Sequence, residues 1–293
     1  MHKAKPKNKP KSLKAIARAK AKYLPKAPPP EPGYPVRKKA FGQHFLRKSS
    51  VVDHMIEKVT ITPASSTVVE IGCGDGFLTS AILKQTECKE LLVFEIDPDW
   101  ATYVKNKVRD LRLNLQLQNI LEVDFQTLTD KAPLIMLANL PYQITFPIIF
   151  LIQKNKHLFQ EGVIMIQEEV ARKIVASHGK GYSSTSLFLQ YHFELELMEK
   201  VEPGAFAPPP KVFSRLLYFR PKLDVKPIPQ EDGFWKFLKL CFRSPRQTLR
   251  NNLRTTHYNL AEFPENILKK RAQEFSFDDF LQLWNLIISF KDK

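Results

Sequence analysis

A chain of 293 residues, 43% of them hydrophobic and 21 of them Phe, has enough apolar surface for a core of its own, which excludes global disorder. Its three cysteines, Cys73, Cys88 and Cys241, are odd in number and far apart, so they make neither a disulfide framework nor a four-ligand zinc site, and a reduced intracellular protein is expected. The formal net charge is +15, but residues 1–36 hold nine Lys, Arg18 and a single acid, Glu31, which leaves +6 for residues 37–293.

The chain opens on a Lys/Pro-rich tail, residues 1–36, with 8 of the 22 prolines. The run from Pro25 to Pro30 forms neither helix nor central strand, and so little apolar surface cannot offset the ordering entropy. A disordered polycation that binds phosphates non-specifically is predicted. It has no apolar run long enough for a secretory signal. An organellar presequence would favour Arg, Ser and an amphipathic helix over Lys and Pro.

From residue 37 short Val/Ile/Leu-rich runs alternate with helical patterns. Strands are predicted at 67–71, 91–96, 113–119, 134–138, 162–167, 194–202 and 215–219, with helices at 77–87, 98–109, 144–155 and 168–177. This alternation predicts an α/β domain over 37–222, its parallel sheet covered on both faces, and the last two strands read as an antiparallel pair. The apolar stretch 134–152 contains Asn139, Pro141, Gln143 and Pro147, so it reads as a strand and a helix and not as a membrane span. Residues 223–293 turn wholly helical, at 232–243, 246–254, 264–274 and 276–289, and predict a small second domain.

The first candidate site is the loop after the first of these strands, Glu70-Ile71-Gly72-Cys73-Gly74-Asp75-Gly76. Its glycines allow a tight turn and close approach of a ligand to the backbone. Phe77 stands where a dinucleotide fingerprint needs Gly, and no phosphate-loop Lys-Ser/Thr follows. Glu95, 23 residues after Gly72, ends the next strand, where a carboxylate can accept from both ribose hydroxyls of a nucleoside. Its neighbour Ile96 lies on the same edge, whereas Asp97 before Pro98 reads as a helix N-cap. After the third strand, Asp124 can accept from an adenine amino group and Phe125 can lie against the ring.

Asn139-Leu140-Pro141-Tyr142 at the end of the fourth strand is the decisive tetrapeptide. An exocyclic amine is a poor nucleophile because its lone pair is delocalised into the ring. An Asn oxygen and the adjacent Leu140 carbonyl, both accepting its hydrogens, push that nitrogen towards tetrahedral geometry. Pro141 stiffens the turn and Tyr142 offers a stacking surface. With a cationic sulfonium as methyl donor no strong general base is required, and positioning supplies much of the acceleration. Seven histidines without clustered spacing predict no metal site.

Asn-Leu-Pro-Tyr, the Glu-Ile-Gly-x-Gly-x-Gly-x-Leu-Thr loop and Phe41-Gly42-Gln43-His44-Phe45-Leu46 together resemble the rRNA adenine N6,N6-dimethyltransferases. Within them the resemblance is greatest to the KsgA branch, which modifies two adjacent adenosines near the 3′ end of small-subunit rRNA. It spans roughly residues 37–290 and includes Phe206 to Ser214 and Arg246 to Leu253. It implies a class I methyltransferase fold, Rossmann-like with a seven-stranded mixed sheet, and a small helical domain that grips RNA. It implies S-adenosylmethionine held by His44, Leu46, Gly72, Gly74, Glu95, Ile96, Asp124, Phe125 and Asn139. The target adenine would be flipped out against Tyr142. Phe206 is read either as a second aromatic wall or as a core residue between strands, and Lys211, Arg246 and Arg250 would meet RNA phosphates.

The partner so implied is small-subunit rRNA or the immature small subunit, met in the cytoplasm by a monomer without membrane or metal. Departures from the family pattern are His44 for Asn, Cys73 for Pro, Pro245 within a basic run, and the segment 178–183; none is at Asn139 or Tyr142. Two other readings compete. One is an Erm-type large-subunit rRNA methyltransferase, whose members usually carry Asn-Ile-Pro-Tyr. The other is a binding protein for assembly or organellar transcription, against which the intact Glu95, Asp124 and Asn139 speak.

Overall fold

Alternation inside each strand organises the molecule, because successive side chains face opposite sides of a sheet. The computed structural model describes residues 33–38 and 41–291, so most of the expected tail lies outside the described residues. In chain order the strands are β1 (Phe45–Leu46), β2 (Thr67–Ile71), β3 (Glu90–Glu95), β4 (Leu113–Leu117), β5 (Leu134–Asn139), β6 (Phe159–Gln167), β7 (Phe193–Val201), β8 (Phe206–Ala207) and β9 (Ser214–Pro221). The helices are α1 (Ser49–Lys58), α2 (Phe77–Gln85), α3 (Pro98–Lys107), α4 (Thr145–Lys154), α5 (Glu168–Ile174) and α6 (Ser184–His192), then α7 (Glu231–Cys241), α8 (Leu249–Leu253), α9 (Glu265–Leu268) and α10 (Phe277–Lys291).

Seven strands form one mixed sheet in the order β4-β3-β2-β5-β6-β9-β7. The first five run parallel; β9 is antiparallel to both β6 and β7. Val68, Leu91, Val93, Ile135, Leu137, Val163 and Met165 face a core shared with α1, α2 and α3. Their alternates Val69, Leu92, Phe94, Met136, Ala138, Ile164 and Ile166 face a second core with α4, α5 and α6. Burial on both faces is why these strands read as continuous apolar runs. This is the class I methyltransferase architecture. The stretch 134–152 is the buried β5 followed by α4, and no described helix is long and apolar enough to cross a membrane.

The helical segment has its own apolar cluster around Phe234, Phe237, Phe280 and Trp284, which also takes in Tyr182 and Leu187 before β7. Residues 35–293 form one compact unit. Two predicted helices here are shorter than their patterns suggest. Thr248 starts α8 by accepting from the Asn251 amide at 3.4 Å, while Leu249 N donates to Lys270 O at 2.8 Å and Thr248 bridges Arg271. Backbone groups there are satisfied between segments instead of along one long helix, and 264–274 breaks into α9 and a 3-10 turn at Ala272–Glu274. The helix predicted at 168–177 ends at Ile174. Beyond the elements expected from the sequence, the structure adds α1, α6 and the small β1–β8 pair.

Candidate active site

The strand order reverses between β2 and β5, and in open parallel sheets ligands bind outside the strand ends at such a point. A cavity of about 260 Å³ lies there, against about 10 Å³ for a second one inside the apolar core, which makes the first the candidate site. Its wall is built from the ends of β2, β3, β4 and β5 and the segment entering β1.

After β2 the chain turns through Gly72 at φ +75° and Gly74 at φ +52°. A Cβ on Gly72 would meet nothing within 4 Å, so the backbone there is open to a ligand, whereas one on Gly74 would sit 2.8 Å from the Phe45 ring. Glu95 closes β3 and is only 6% exposed. Its carboxylate accepts from Asp97 N at 2.8 Å and from Gly74 N at 3.3 Å, with Cys73 Sγ at 3.5 Å. Burial raises its pKa, and the backbone donors counter that only in part. A carboxylate has about four lone-pair sites, so acceptor capacity remains for ligand hydroxyls.

Asp97 caps α3 through Asp99 N at 3.1 Å, as expected, and does more than that. It is fully buried, and it receives Lys38 Nζ at 2.7 Å and Gln43 Nε2 at 3.1 Å. Burial opposes its ionisation, but Lys38 and Gln43 outweigh this and lower its pKa. The clasp holds the Phe41–Leu46 segment along the cavity, where His44, Phe45 and Leu46 line the wall. Sequence reasoning missed Lys38 and Gln43, since nothing local links them to residue 97.

On β5, Asn139 Nδ2 donates to the His44 carbonyl at 3.1 Å. A carbonyl only accepts, so this bond fixes the amide with its nitrogen towards His44 and its Oδ1 turned the other way. Leu140 is buried, with its N–H on Met165 O at 3.2 Å. The Tyr142 hydroxyl pairs with Ser214 Oγ at 2.7 Å, and its ring lies 6.2 Å from that of His44 at 25°. His44 Nδ1 faces Pro208 O at 2.9 Å and therefore carries the proton.

The structure brings His44, Leu46, Gly72, Gly74, Glu95, Ile96, Asn139, Leu140, Pro141 and Tyr142 to one cavity. It does not bring Asp124 and Phe125 there. Asp124 is exposed and caps a 3-10 helix through Gln126 N at 3.0 Å, and Phe125 is core, 5.8 Å from Phe159. The reason is that β4 ends at Leu117, so the residues at its edge are Gln118 and Asn119, which do line the cavity. The strand expected at 113–119 runs through both residues, which hides them as site candidates. Phe206 pairs with Leu46 in the β1–β8 ribbon, is 5% exposed and belongs to the core, so the packing matches its core reading and not the aromatic wall. Lys211, Arg246 and Arg250 are exposed and away from the cavity wall, with Arg250 paired to Glu265.

Glu70 opens the candidate loop, but its sequence context assigns it no role of its own. It is 1% exposed on the cavity wall; Oε2 accepts from Thr79 Oγ1 at 2.7 Å, and Oε1 has no partner among the described residues. Burial pushes its pKa from 4.5 up to about 8. Folded protein therefore holds a proton that the unfolded chain has released, and stability falls as pH rises from about 4.5 to about 8. Glu70→Gln should remove this fall, on the order of a few kcal/mol. Urea unfolding of both proteins at pH 5 and pH 8 measures it, and parallel pH dependences would refute it.

The chain matches the family model "Ribosomal RNA adenine dimethylase" over residues 36–289. A protein named ribosomal RNA small subunit methyltransferase A from Chlorobium phaeobacteroides is 33% identical over 251 residues, covering 85% of this chain and 91% of the relative. Its namesake from Mesomycoplasma hyopneumoniae is 34% identical over 260 residues, covering 85% and 95%. In fold the chain is similar to a dimethyladenosine transferase from Plasmodium falciparum, with TM-score 0.69, 24% identity and coverage of 85% and 98%. It is also similar to the 23S rRNA methyltransferase ErmE, with TM-score 0.64, 20% identity and coverage of 83% and 99%.

Proposed function

The chain belongs to the ribosomal RNA adenine dimethylase family, and on that premise we propose that it dimethylates N6 of two adjacent adenosines near the 3′ end of small-subunit rRNA during ribosome assembly in the cytoplasm. The observation that carries the reading is the Asn139 amide, held by the His44 carbonyl at the end of β5 in the same cavity as the glycine loop and Glu95. Small-subunit RNA is favoured over large-subunit RNA by the 33–34% identity to proteins named for the small subunit.

S-adenosylmethionine, when bound, supplies an electrophilic methyl on a sulfonium sulfur. The residues present suit it: the open backbone at Gly72 admits close approach, and Glu95 retains acceptor capacity for the ribose. Ile96 and Leu121, 50% and 38% exposed on the wall, offer apolar surface for the adenine. Asn139 Oδ1 and the Leu140 carbonyl accept the two N6 hydrogens of the target and localise its lone pair. Tyr142, held by Ser214, stacks on the base and keeps the nitrogen in line. Residues 37–222 would carry this chemistry, while 223–293, with Arg246 and Arg250, would hold the RNA.

Incubation with labelled S-adenosylmethionine and undermethylated small subunits, followed by mass spectrometry of the digested rRNA, tests the reading. Dimethyladenosine at adjacent 3′-terminal positions is expected. The same product in large-subunit RNA would favour the Erm-type alternative, and none in either would favour a binding protein.

Glu95→Gln keeps one acceptor oxygen but loses the charge that strengthens its bonds to ribose hydroxyls. Affinity for S-adenosylmethionine should fall by roughly 10- to 150-fold, from about 1.5–3 kcal/mol for a hydrogen bond to a charged group. Calorimetric titration decides it, and unchanged affinity would remove Glu95 from the cofactor site.

A further inference from the structure

The loop from Pro208 to Phe213, between β8 and β9, is tied to the site at both ends. Pro208 O accepts from His44 Nδ1 at 2.9 Å, and Ser214 Oγ meets the Tyr142 hydroxyl at 2.7 Å. Ser214 is fully buried against Tyr142, yet its neighbour Phe213 is 41% exposed and Val212 44% exposed. Val212 and Phe213 are thus two adjacent exposed apolar side chains one residue from the site.

The surroundings of Phe213 indicate which kind of partner fits them. Lys200 Nζ stands 3.8 Å from its ring centroid, because the β7–β9 register sets Lys200 opposite Arg215 at the same sheet edge. Lys211 is exposed two residues earlier. Glu168, whose N–H donates to Phe213 O at 3.0 Å, is already paired with Arg215 and Arg172, and the exposed Glu202 follows Val201, the register partner of Ser214. The Arg215 side chain beside it holds the Glu168 carboxyl down at about 2, so its charge is matched throughout the neutral range. With Lys200 over one face of the exposed ring and Lys211 two residues away, cations outnumber the single acid Glu202, which suits a nucleobase flanked by phosphates; an apolar protein segment would leave those cations without anions.

We propose that Phe213, with Lys200 and Lys211, forms a stacking ledge for the base next to the target adenosine while that target lies against Tyr142. The inference rests on the proposed RNA methyl transfer and adds a subsite to it. When one of two adjacent adenosines occupies the cavity, its neighbour is held at the residue before Ser214, in place for the second round. The ledge contributes to RNA affinity and not to cofactor binding, because none of its three side chains lines the cavity.

Full-length Phe213→Ala and Phe213→Trp are compared with wild type for binding of undermethylated small subunits by filter retention, for KM and kcat of transfer, and for cofactor affinity. Phe213→Ala should weaken subunit binding and raise KM by about 5- to 150-fold, the range for losing one stacked base, with cofactor affinity unchanged and Trp restoring both. Subunit binding equal to wild type in Phe213→Ala overturns the ledge, as does a loss that Trp fails to restore or that lowers cofactor affinity in parallel. If wild type binds subunits and transfers no methyl, the functional reading falls, and the binding ratio of the variants still decides the ledge.

Discussion

Asn139→Ala is expected to lower kcat for methyl transfer by about 10²–10³-fold, the usual cost of removing one preorganised hydrogen-bonding group from a reacting centre. The alanine protein should stay folded, since it loses one partly buried bond to the His44 carbonyl, worth about 1 kcal/mol. Asn139→Asp is the sharper probe. It keeps an accepting oxygen but sets a second carboxylate oxygen against the His44 carbonyl, where two acceptors repel. Rotation away from His44 then removes the oxygen from its aim, so aspartate should recover little of the activity. Single-turnover transfer at saturating cofactor measures this, and near wild-type turnover in either variant would take the amine-activating role away from Asn139.

The largest stability effect is expected at Trp284. Its side chain on α10 is 1% exposed, stacks 5.8 Å from Phe237 and meets Phe234 edge-on at 6.2 Å. Nε1 donates to Pro229 O at 2.7 Å, and Gly233 on α7 lies so close that a Cβ there would be 2.9 Å from the indole. Trp284→Ala therefore opens a cavity between α7 and α10 and strips a carbonyl of its donor. A cost of about 3–5 kcal/mol follows, a large share of the roughly 5–15 kcal/mol that stabilises a domain. Urea unfolding measures it, and a loss under about 1 kcal/mol would mean the helical segment repacks around the gap.

Most strands were legible because a strand buried on both faces announces itself locally: Leu134 to Ala138 is apolar throughout, and Thr67–Ile71 has the bounds its sequence suggests. The spacing of Val51, Val52, Met55 and Ile56, all buried, carries the α1 signal locally as well. Helices α8 and α9 were over-extended because the pairing of Leu249 with Lys270 competes with helix continuation, and no local pattern reports it.

For the site, the sequence by itself determined the order of motifs and their place at strand ends: the glycine loop, Glu95 and Asn139-Leu140-Pro141-Tyr142 follow β2, β3 and β5 into one cavity. It pointed to Asp124, left Asn119 inside a strand and could not tell cap from ligand, since an Asp after a strand serves equally as either. Where β4 stops decides which residue reaches the edge. Nor could it bury Phe206, which depends on pairing with Leu46 160 positions earlier in the chain. The aim of the Asn139 oxygen is tertiary too, set by a carbonyl from a segment that Lys38 and Gln43 clasp to Asp97. Period and turn chemistry act over a few residues and are written in the sequence. Hydrogen-bond direction and burial in a cavity depend on groups that only folding brings together.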